Sequence, residues 1–220
     1  GLFTPGSTFK VITASAALDS GKFTPESQFY DPGYCTEYGQ RVSNAGSPDS
    51  PSVETFGNTN LFQGLVHSIN SVFCNVGKAL GAKRILDQAK KFGFYERPPL
   101  ETPEGERYPS GLYDKGELWY PKRNSDVDAG RMAFGQERML VTPLQMARFY
   151  AMIANGGKLV TPYVVSQVEP AAPNGPSPVV ERRFAPDPPR PVGFVPAARQ
   201  GVRAGLCSAA HSTAVASSGV

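Results

Sequence analysis

The segment Pro5-Gly6-Ser7-Thr8-Phe9-Lys10 (PGSTFK) decides how the rest of this 220-residue chain is interpreted. It opens with a turn signal and leads into apolar residues at near-helical spacing, which predicts a helix over residues 7–18. On that helix Ser7 and Lys10 share one face, so the hydroxyl and the amine can meet. A serine becomes a nucleophile when a nearby base takes its proton, and burial can lower the pKa of a lysine enough for that task. The pair therefore indicates an activated serine, although about one such S-x-x-K tetrad is also expected by chance in a chain of this length.

A second polar group lies in an apolar stretch, residues 65–73 (LVHSINSVF), which contains Ser68-Ile69-Asn70. A serine in this position can pass a proton to a leaving group, and the Asn70 amide can bind both Lys10 and a substrate amide. The alternative is an ordinary helix N-cap or a solvated turn. Taken alone, the pattern leaves both interpretations open.

Helical patterns alternate with long loops along the chain. The spacing of apolar residues predicts further helices over 61–80, 82–92, 144–154 and 198–206. Irregular loops are expected over 24–60, with a short hairpin, and over 95–128, and a strand or strand pair over 159–168. Nine of the 21 prolines fall between residues 170 and 196, so residues 169–196 are expected to lack regular structure.

Three segments of the sequence resemble one protein family. PGSTFK and Ser68-Ile69-Asn70 are similar to the S-x-x-K and S-x-N motifs of the transpeptidase domain of penicillin-binding proteins, the serine D,D-transpeptidases that cross-link peptidoglycan. Residues 133–157 (AFGQERMLVTPLQMARFYAMIANGG) resemble the GQ…TPLQ…AxIANGG segment of that family, and the long TPLQ segment favours a class B enzyme. The likeness runs from residue 1 to about residue 168 and returns near 199–214.

The resemblance implies a fold class and a domain organisation. We expect a mainly α chain with minor β structure, the helical lobe of the α/β penicillin-binding transpeptidase (serine β-lactamase-like) fold, with most of the central sheet absent. Residues 1–168 would be a partial transpeptidase domain, 169–196 a proline-rich irregular segment, and 197–220 a helix and tail. Because the sequence opens at Gly1 directly into a motif, we expect the chain to be a fragment of a longer polypeptide.

The same resemblance implies a role for each site residue. Ser7 would be the acylated nucleophile and Lys10 the base for acylation. Ser68 would relay the proton to the leaving D-alanine nitrogen, and Asn70 would bind the substrate backbone and orient Lys10. The implied substrates are stem peptides ending in D-Ala-D-Ala, and β-lactams would acylate the same serine. The parent would sit at the outer face of the cytoplasmic membrane with a glycosyltransferase partner, and neither a metal nor a cofactor is implied.

One motif of the family does not occur in the sequence. No Lys-Thr-Gly, Lys-Ser-Gly or His-Thr-Gly is present, and His211-Ser212-Thr213 has the wrong third residue. We expect the K-T-G strand to follow soon after Val220. This leaves open whether the chain is active, a catalytically dead penicillin-binding or sensor module, or part of a D,D-carboxypeptidase. A β-lactamase is disfavoured because residues 133–157 do not belong to that group.

Composition and charge exclude some other classes of protein. Twenty-two basic against nineteen acidic residues give a net charge of +3, which is too small for a dense nucleic-acid-binding face. Cys35, Cys74 and Cys207 form no C-x-x-C pair, so their spacing does not favour a zinc site. The three cysteines fit either buried thiols or one disulfide plus a spare. No apolar run reaches the roughly 18 residues of a membrane-spanning helix.

Overall fold

A computed structural model describes residues 1–44, 53–168, 182–183, 187–194 and 196–217. The α-helices are α1 (Lys10–Asp19), α2 (Leu61–Val66), α3 (Asn70–Leu80), α4 (Ala82–Lys91), α5 (Ala129–Met132), α6 (Pro143–Ala154) and α7 (Pro196–Ser217). The strands are β1 (Gln28–Asp31), β2 (Tyr34–Glu37), β3 (Gln40–Ser43), β4 (Gly57–Asn60), β5 (Gly111–Asp114), β6 (Glu117–Trp119), β7 (Met139–Leu140), β8 (Lys158–Leu159), β9 (Gln167–Val168), β10 (Arg182–Arg183) and β11 (Arg190–Pro191). Short 3₁₀ helices cover Gly6–Phe9, Glu104–Glu106 and Asn124–Asp126.

The strands of the described residues form only small antiparallel sheets. The largest has three strands in the order β6-β5-β7, and the others are the pairs β1-β4, β2-β3, β8-β11 and β9-β10. Among the described residues helix clearly predominates over strand, so the expected mainly α fold class with minor β structure is confirmed.

Helix α1 lies at the centre of the fold. Its residues from Lys10 to Ala17 are all buried, because α3, α4 and α7 pack around it. Phe9, just before α1, meets the ring of Phe94 edge to face with 6.1 Å between the centroids. The first turn of α1 is therefore fixed inside the core, and this fixes the position of the PGSTFK motif.

The helix predicted over 61–80 is interrupted, and the prediction was wrong at residues 67–69. Asn60 caps α2 by accepting a 2.8 Å hydrogen bond from the Gln63 amide, as expected of an asparagine N-cap. Ser68 then has φ of +57°, a left-handed conformation that ends the helix, and α3 starts at Asn70. A Cβ on Gly64 would lie 2.7 Å from a Val72 methyl group, so this glycine lets α2 and α3 approach closely.

The two expected loop regions contain more strand than the sequence indicated. In residues 24–60 the predicted hairpin is confirmed as β2-β3, and β1 also pairs with β4. Residues 95–128 include the unpredicted hairpin β5-β6, whose turn contains Lys115 and Gly116, both with positive φ. The pair Lys115-Gly116 differs from the Asn-Gly or Asp-Gly pair that usually marks a two-residue hairpin turn, and this explains why the hairpin was missed.

The last third of the described chain also differs from expectation. Residues 159–168, predicted to form a strand or a strand pair, contain the end of β8 and the whole of β9, and these two strands pair with β11 and β10 instead of with each other. Within 169–196, expected to be irregular, β10 pairs with β9 and β11 pairs with β8, whereas residues 169–181, 184–186 and 195 lie outside the described part of the chain. The helix predicted over 198–206 is longer and forms α7.

The structure decides between the two alternatives for the cysteines. Cys35 in β2 and Cys74 in α3 form a disulfide, and Cys207 is free and exposed. Buried Glu37 lies beside the disulfide and forms a 2.6 Å ion pair with Lys78. Because the two sulfur atoms are bonded to each other, this cluster offers no thiolate to a metal ion. Among the described helices, none combines the length and the apolar character needed to cross a lipid bilayer.

Candidate active site

Ser7 lies in the 3₁₀ turn directly before α1, on the surface of the protein. The turn is held by Gly6, whose amide donates a 3.1 Å hydrogen bond to the Gly135 carbonyl. The Lys10 amide donates to the Ser7 carbonyl, so the two motif residues are joined through the backbone of one turn. Within the described structure the Ser7 hydroxyl makes no hydrogen bond, and its oxygen is open to an incoming substrate.

Lys10 is buried and fully hydrogen-bonded, in contrast to Ser7. Its side chain is 1% exposed, and Nζ donates to Ser68 O at 2.5 Å, to Ser68 Oγ at 3.0 Å and to Asn70 Oδ1 at 2.6 Å. Three acceptors match the three donors of an ammonium group. Burial nevertheless lowers the pKa of Lys10 from 10.5 to about 7, because desolvation disfavours the charged form. Near neutral pH a substantial fraction of Lys10 is therefore the free amine.

The amide of Asn70 is oriented by two opposite partners. Its Oδ1 accepts from Lys10, and its Nδ2 donates a 2.7 Å hydrogen bond to the Ser43 carbonyl at the end of β3. The flipped amide would set oxygen against the Ser43 carbonyl and nitrogen against the Lys10 ammonium, and both contacts would be repulsive. The Ser43 carbonyl thus ensures that Asn70 presents an acceptor to Lys10.

Ser68 reaches Lys10 because of its left-handed backbone. With φ at +57°, its carbonyl oxygen and its hydroxyl oxygen both lie within hydrogen-bond distance of the same amine. Such a conformation is costly for a serine and persists where surrounding contacts compensate for it. The Ser68 side chain is exposed on its other side, so its hydroxyl connects the buried amine to the surface.

The structure brings three of the four predicted site residues into direct contact, namely Lys10, Ser68 and Asn70, and it sets Ser7 one turn before Lys10. Sequence reasoning missed the residues that support them. Residues of 133–157 were recognised as family-like but given no function, yet the Ala133 carbonyl accepts a 2.7 Å bond from Thr13 and the Tyr150 hydroxyl donates to Thr8 O at 3.1 Å. The GQ…TPLQ pattern was the signal that could have located them.

Gly135 is the most constrained of these supporting residues. Its φ is +80°, and a Cβ atom there would collide with the Gly6 carbonyl oxygen. A glycine is therefore required where residues 133–135 approach the turn that carries Ser7. Through this close approach, Gly135 of the segment 133–157 lies directly beside Gly6 of the PGSTFK motif.

The fold and the site together are typical of a serine acyl-transfer enzyme. An exposed serine is followed one turn later by a buried lysine, and both lie on a helical lobe with small sheets. Comparison with known proteins gives the family. Residues 1–218 match the penicillin binding protein transpeptidase domain, and the chain belongs to this family. The relatives found are class B penicillin-binding proteins, as the TPLQ segment indicated.

Two curated relatives illustrate the similarity. Stage V sporulation protein D of Bacillus subtilis is 31% identical over 166 residues, which are 75% of this chain and 23% of the relative. Peptidoglycan D,D-transpeptidase PbpA of Mycobacterium tuberculosis is 31% identical over 174 residues, which are 76% of this chain and 32% of the relative. The chain therefore spans between about a quarter and a third of the length of these proteins.

Solved structures agree with the fold. A ceftriaxone acyl-enzyme complex of penicillin-binding protein A from M. tuberculosis matches with a TM-score of 0.73 and 25% identity, over 96% of this chain and 43% of the other. The D,D-transpeptidase domain of a peptidoglycan glycosyltransferase from Eggerthella lenta has the same fold, with a TM-score of 0.73, 24% identity, and coverage of 96% and 49%.

Proposed function

We propose that this chain carries the acylation site of a class B peptidoglycan D,D-transpeptidase. Ser7 Oγ attacks the carbonyl carbon of the penultimate D-alanine in a stem peptide that ends in D-Ala-D-Ala. The peptide C–N bond breaks, the terminal D-alanine leaves as its free amine, and an acyl-serine remains. An amine of a neighbouring stem peptide then attacks the acyl carbonyl, which forms the cross-link and releases Ser7. The observation that carries this proposal is the buried Lys10 amine held by Ser68 and Asn70.

Lys10 is the proposed base for the attack. Its pKa of about 7 means that the neutral amine is available near neutral pH to take the proton from the Ser7 hydroxyl. Lys10 removes this proton while the C–O bond forms, so no free alkoxide is needed. A serine hydroxyl does not ionise to an alkoxide at this pH. Burial is thus the physical reason why the unprotonated amine that the reaction requires is present near neutral pH.

Ser68 is the proposed path for the proton to the leaving group. Its hydroxyl lies 3.0 Å from Lys10 Nζ and is exposed on the opposite side. The Ser68 hydroxyl can give its proton to the departing nitrogen and take one from Lys10, so no net charge remains on Ser68. Asn70 keeps the amine oriented through this exchange and offers its amide to the substrate backbone.

The comparisons support this proposal at the level of the family. Relatives named peptidoglycan D,D-transpeptidases include PbpA, and one structural relative is a ceftriaxone acyl-enzyme complex. A β-lactam would acylate Ser7 in the same way, with opening of the lactam C–N bond. Relatives that build peptidoglycan indicate a cell-envelope location. The outer face of the cytoplasmic membrane and a glycosyltransferase partner belong to the proposal for the whole protein.

The test is acylation of this chain, read by intact mass after incubation with a fluorescent penicillin. We expect one adduct on the wild type and none on Ser7→Ala. Ser20→Ala is the matched control, because Ser20 caps the opposite end of the same helix, where its hydroxyl donates to Ala17 O at 2.6 Å and accepts from the Lys22 amide at 3.1 Å. An unlabelled wild type that is folded by circular dichroism would exclude the proposed acylation by this chain.

The same acyl-enzyme distinguishes transpeptidase from carboxypeptidase activity. A synthetic peptide ending in D-Ala-D-Ala is offered together with a D-amino acid as acceptor. Exchange of the terminal residue supports transfer to an amine, whereas release of D-alanine without exchange supports the carboxypeptidase alternative. Stable β-lactam labelling without either product supports the binding-module alternative.

A further inference from the structure

The buried carboxylate of Asp31 is a feature of the site that no sequence motif pointed to. Asp31 ends β1 and is 1% exposed. Oδ1 accepts hydrogen bonds from the Gly33 amide at 2.8 Å and from the Ser71 hydroxyl at 2.5 Å. Oδ2 accepts from Asn44 Nδ2 at 2.8 Å and from the Phe56 amide at 2.9 Å.

These four donors take the place of a counter-ion. A buried carboxylate is costly unless its lone pairs are satisfied, and four hydrogen bonds fill the capacity of the group. None of the ion pairs within the described residues includes Asp31. One of these neutral donors, Gly33, belongs to the turn that follows Asp31, and the other three, Asn44, Phe56 and Ser71, come from separate segments. The carboxylate therefore binds these segments to the end of β1.

One of the segments is the start of α3, next to the S-x-N motif. Ser71 directly follows Asn70, donates its hydroxyl to Asp31, and donates its amide to Asn44 Oδ1 at 3.2 Å. The first amides of a helix lack partners within the helix, and Ile69 at the N-cap supplies no side-chain bond. Remote residues thus cap α3, and a carboxylate at this end is also favoured by the helix dipole.

The second segment carries the partner of Asn70. Asn44 donates to Asp31 and follows Ser43, whose carbonyl accepts from Asn70 Nδ2 at 2.7 Å. Asp31 therefore fixes both the backbone from which the Asn70 side chain extends and the carbonyl that orients the Asn70 amide. Through Asn70 Oδ1 the series of contacts reaches Lys10 at 2.6 Å.

We propose that Asp31 is a positioning residue, which acts through Ser71 and Asn44 to hold Asn70 in the orientation that presents its carbonyl oxygen to Lys10. Its hydrogen bonds go to Gly33, Asn44, Phe56 and Ser71 and not to Lys10. The effect of Asp31 on acylation rests on the proposed function, whereas its effect on the orientation of Asn70 and on the pKa of Lys10 does not. If Asp31 had a purely structural role, its replacement would lower the stability of the fold without a specific effect on the pKa of Lys10.

The test compares Asp31→Asn, Asn70→Ala and the double variant. The asparagine has the same shape, but its NH₂ group must face at least one of the present donors, so the series of contacts is broken. The first readout is the pKa of Lys10, from NMR titration of lysine Cε signals assigned with Lys10→Met. The second readout is the rate constant for acylation by penicillin, measured on chains whose folding is verified by circular dichroism.

We expect Asp31→Asn to shift the Lys10 pKa by about one unit, because a displaced Asn70 changes both the hydration of the amine and the hydrogen bond that it donates to Asn70 Oδ1. We also expect acylation to slow about tenfold. In the Asn70→Ala background, Asp31→Asn should add less than half of either effect, since the two residues act in series. Full additivity, or an unchanged Lys10 pKa in a folded Asp31→Asn chain, would refute the proposal.

Two further variants keep the test decisive. Asp128→Asn is the matched control, because Asp128 is also a buried carboxylate at a helix N-terminus and caps α5 through the Arg131 amide at 2.9 Å. Asp128→Asn should leave the Lys10 pKa unchanged.

If Asp31→Asn does not fold, Ser71→Ala takes its place, because it removes only one hydrogen bond of the same series. It is then compared with Asn70→Ala and with the double variant in the same way. If the wild type is not penicillin-labelled, the proposed function fails while the Lys10 titration still decides the role of Asp31.

Discussion

Lys10 Nζ and Asn70 Oδ1 lie 2.6 Å apart although 60 residues separate them in the sequence. The first turn of α1 supplies the amine, and the first residue of α3 supplies the oxygen. Because both helix starts are fixed in the packed interior, the contact does not depend on a mobile loop. The chemistry proposed for the site follows from this contact and from the exclusion of water around Lys10.

Acylation should depend on pH through the protonation of Lys10. The neutral amine is the base, and its pKa is about 7, so the acylation rate should rise with pH and reach half its maximum near pH 7. The measurement is the second-order rate constant for penicillin labelling between pH 5 and 9. A rate that is flat across this range would contradict Lys10 as the base.

The same group should make stability depend on pH. The pKa of Lys10 is lower in the folded chain than the 10.5 of the unfolded chain, so the unfolded state binds more protons between pH 7 and 10.5. Stability contributed by Lys10 therefore rises with pH across this window, by roughly 4 kcal/mol in total. Urea unfolding of wild type and Lys10→Met at several pH values measures it, and parallel curves for the two chains would disprove it.

Asn70→Asp should move the pH profile upward. A carboxylate beside Lys10 favours the ammonium form, and such a pair typically shifts a pKa by about 1–3 units. The acylation rate at pH 7 should fall while the rate at pH 9 or above partly recovers. Asn155→Asp is the control, since Asn155 is the exposed C-cap of α6 and keeps its bond to the Lys158 amide in either form. A profile that stays in place for Asn70→Asp would contradict the oriented amide.

Gly135→Ala should disrupt the turn that carries Ser7. The new Cβ would collide with the Gly6 carbonyl oxygen, in addition to the strain of positive φ. Gly116→Ala separates the two effects, because Gly116 has φ of +86° but open space around a Cβ. We expect Gly116→Ala to cost about 1 kcal/mol and Gly135→Ala at least about 2 kcal/mol more, with loss of penicillin labelling. Equal costs for the two variants would count against the close approach.

Removal of the disulfide should loosen the support of Asn70. The bond joins the β2-β3 hairpin, which presents the Ser43 carbonyl, to α3, which starts at Asn70. Replacement of Cys35 and Cys74 by alanine should cost about 2–4 kcal/mol in urea unfolding. Cys207→Ser, at the exposed free cysteine, should change stability by less than about 0.5 kcal/mol. Unchanged stability after the double replacement would mean that the bond is not formed in solution.

Part of the site could be predicted because its signals are local. The S-x-x-K spacing sets Ser7 one turn before Lys10, and the long helices follow the 3.6-residue period of their apolar residues. The break between α2 and α3 could not be predicted, because it depends on a left-handed Ser68 whose oxygens are held by Lys10. Asp31 was equally hidden, since three of its four donors, Asn44, Phe56 and Ser71, lie 13, 25 and 40 residues away in the sequence.

The sequence by itself determined the family, the helix that follows Ser7 and begins at Lys10, and the identity of the polar groups around them, because motif spacing and helical periodicity act over a few residues. Only the tertiary structure decided which cysteines pair, which carbonyl orients Asn70, and how deeply Lys10 is buried. The pKa of about 7 belongs to this second group. Desolvation results from the packing of α1 against α3, α4 and α7, and no local pattern encodes how much water that packing removes.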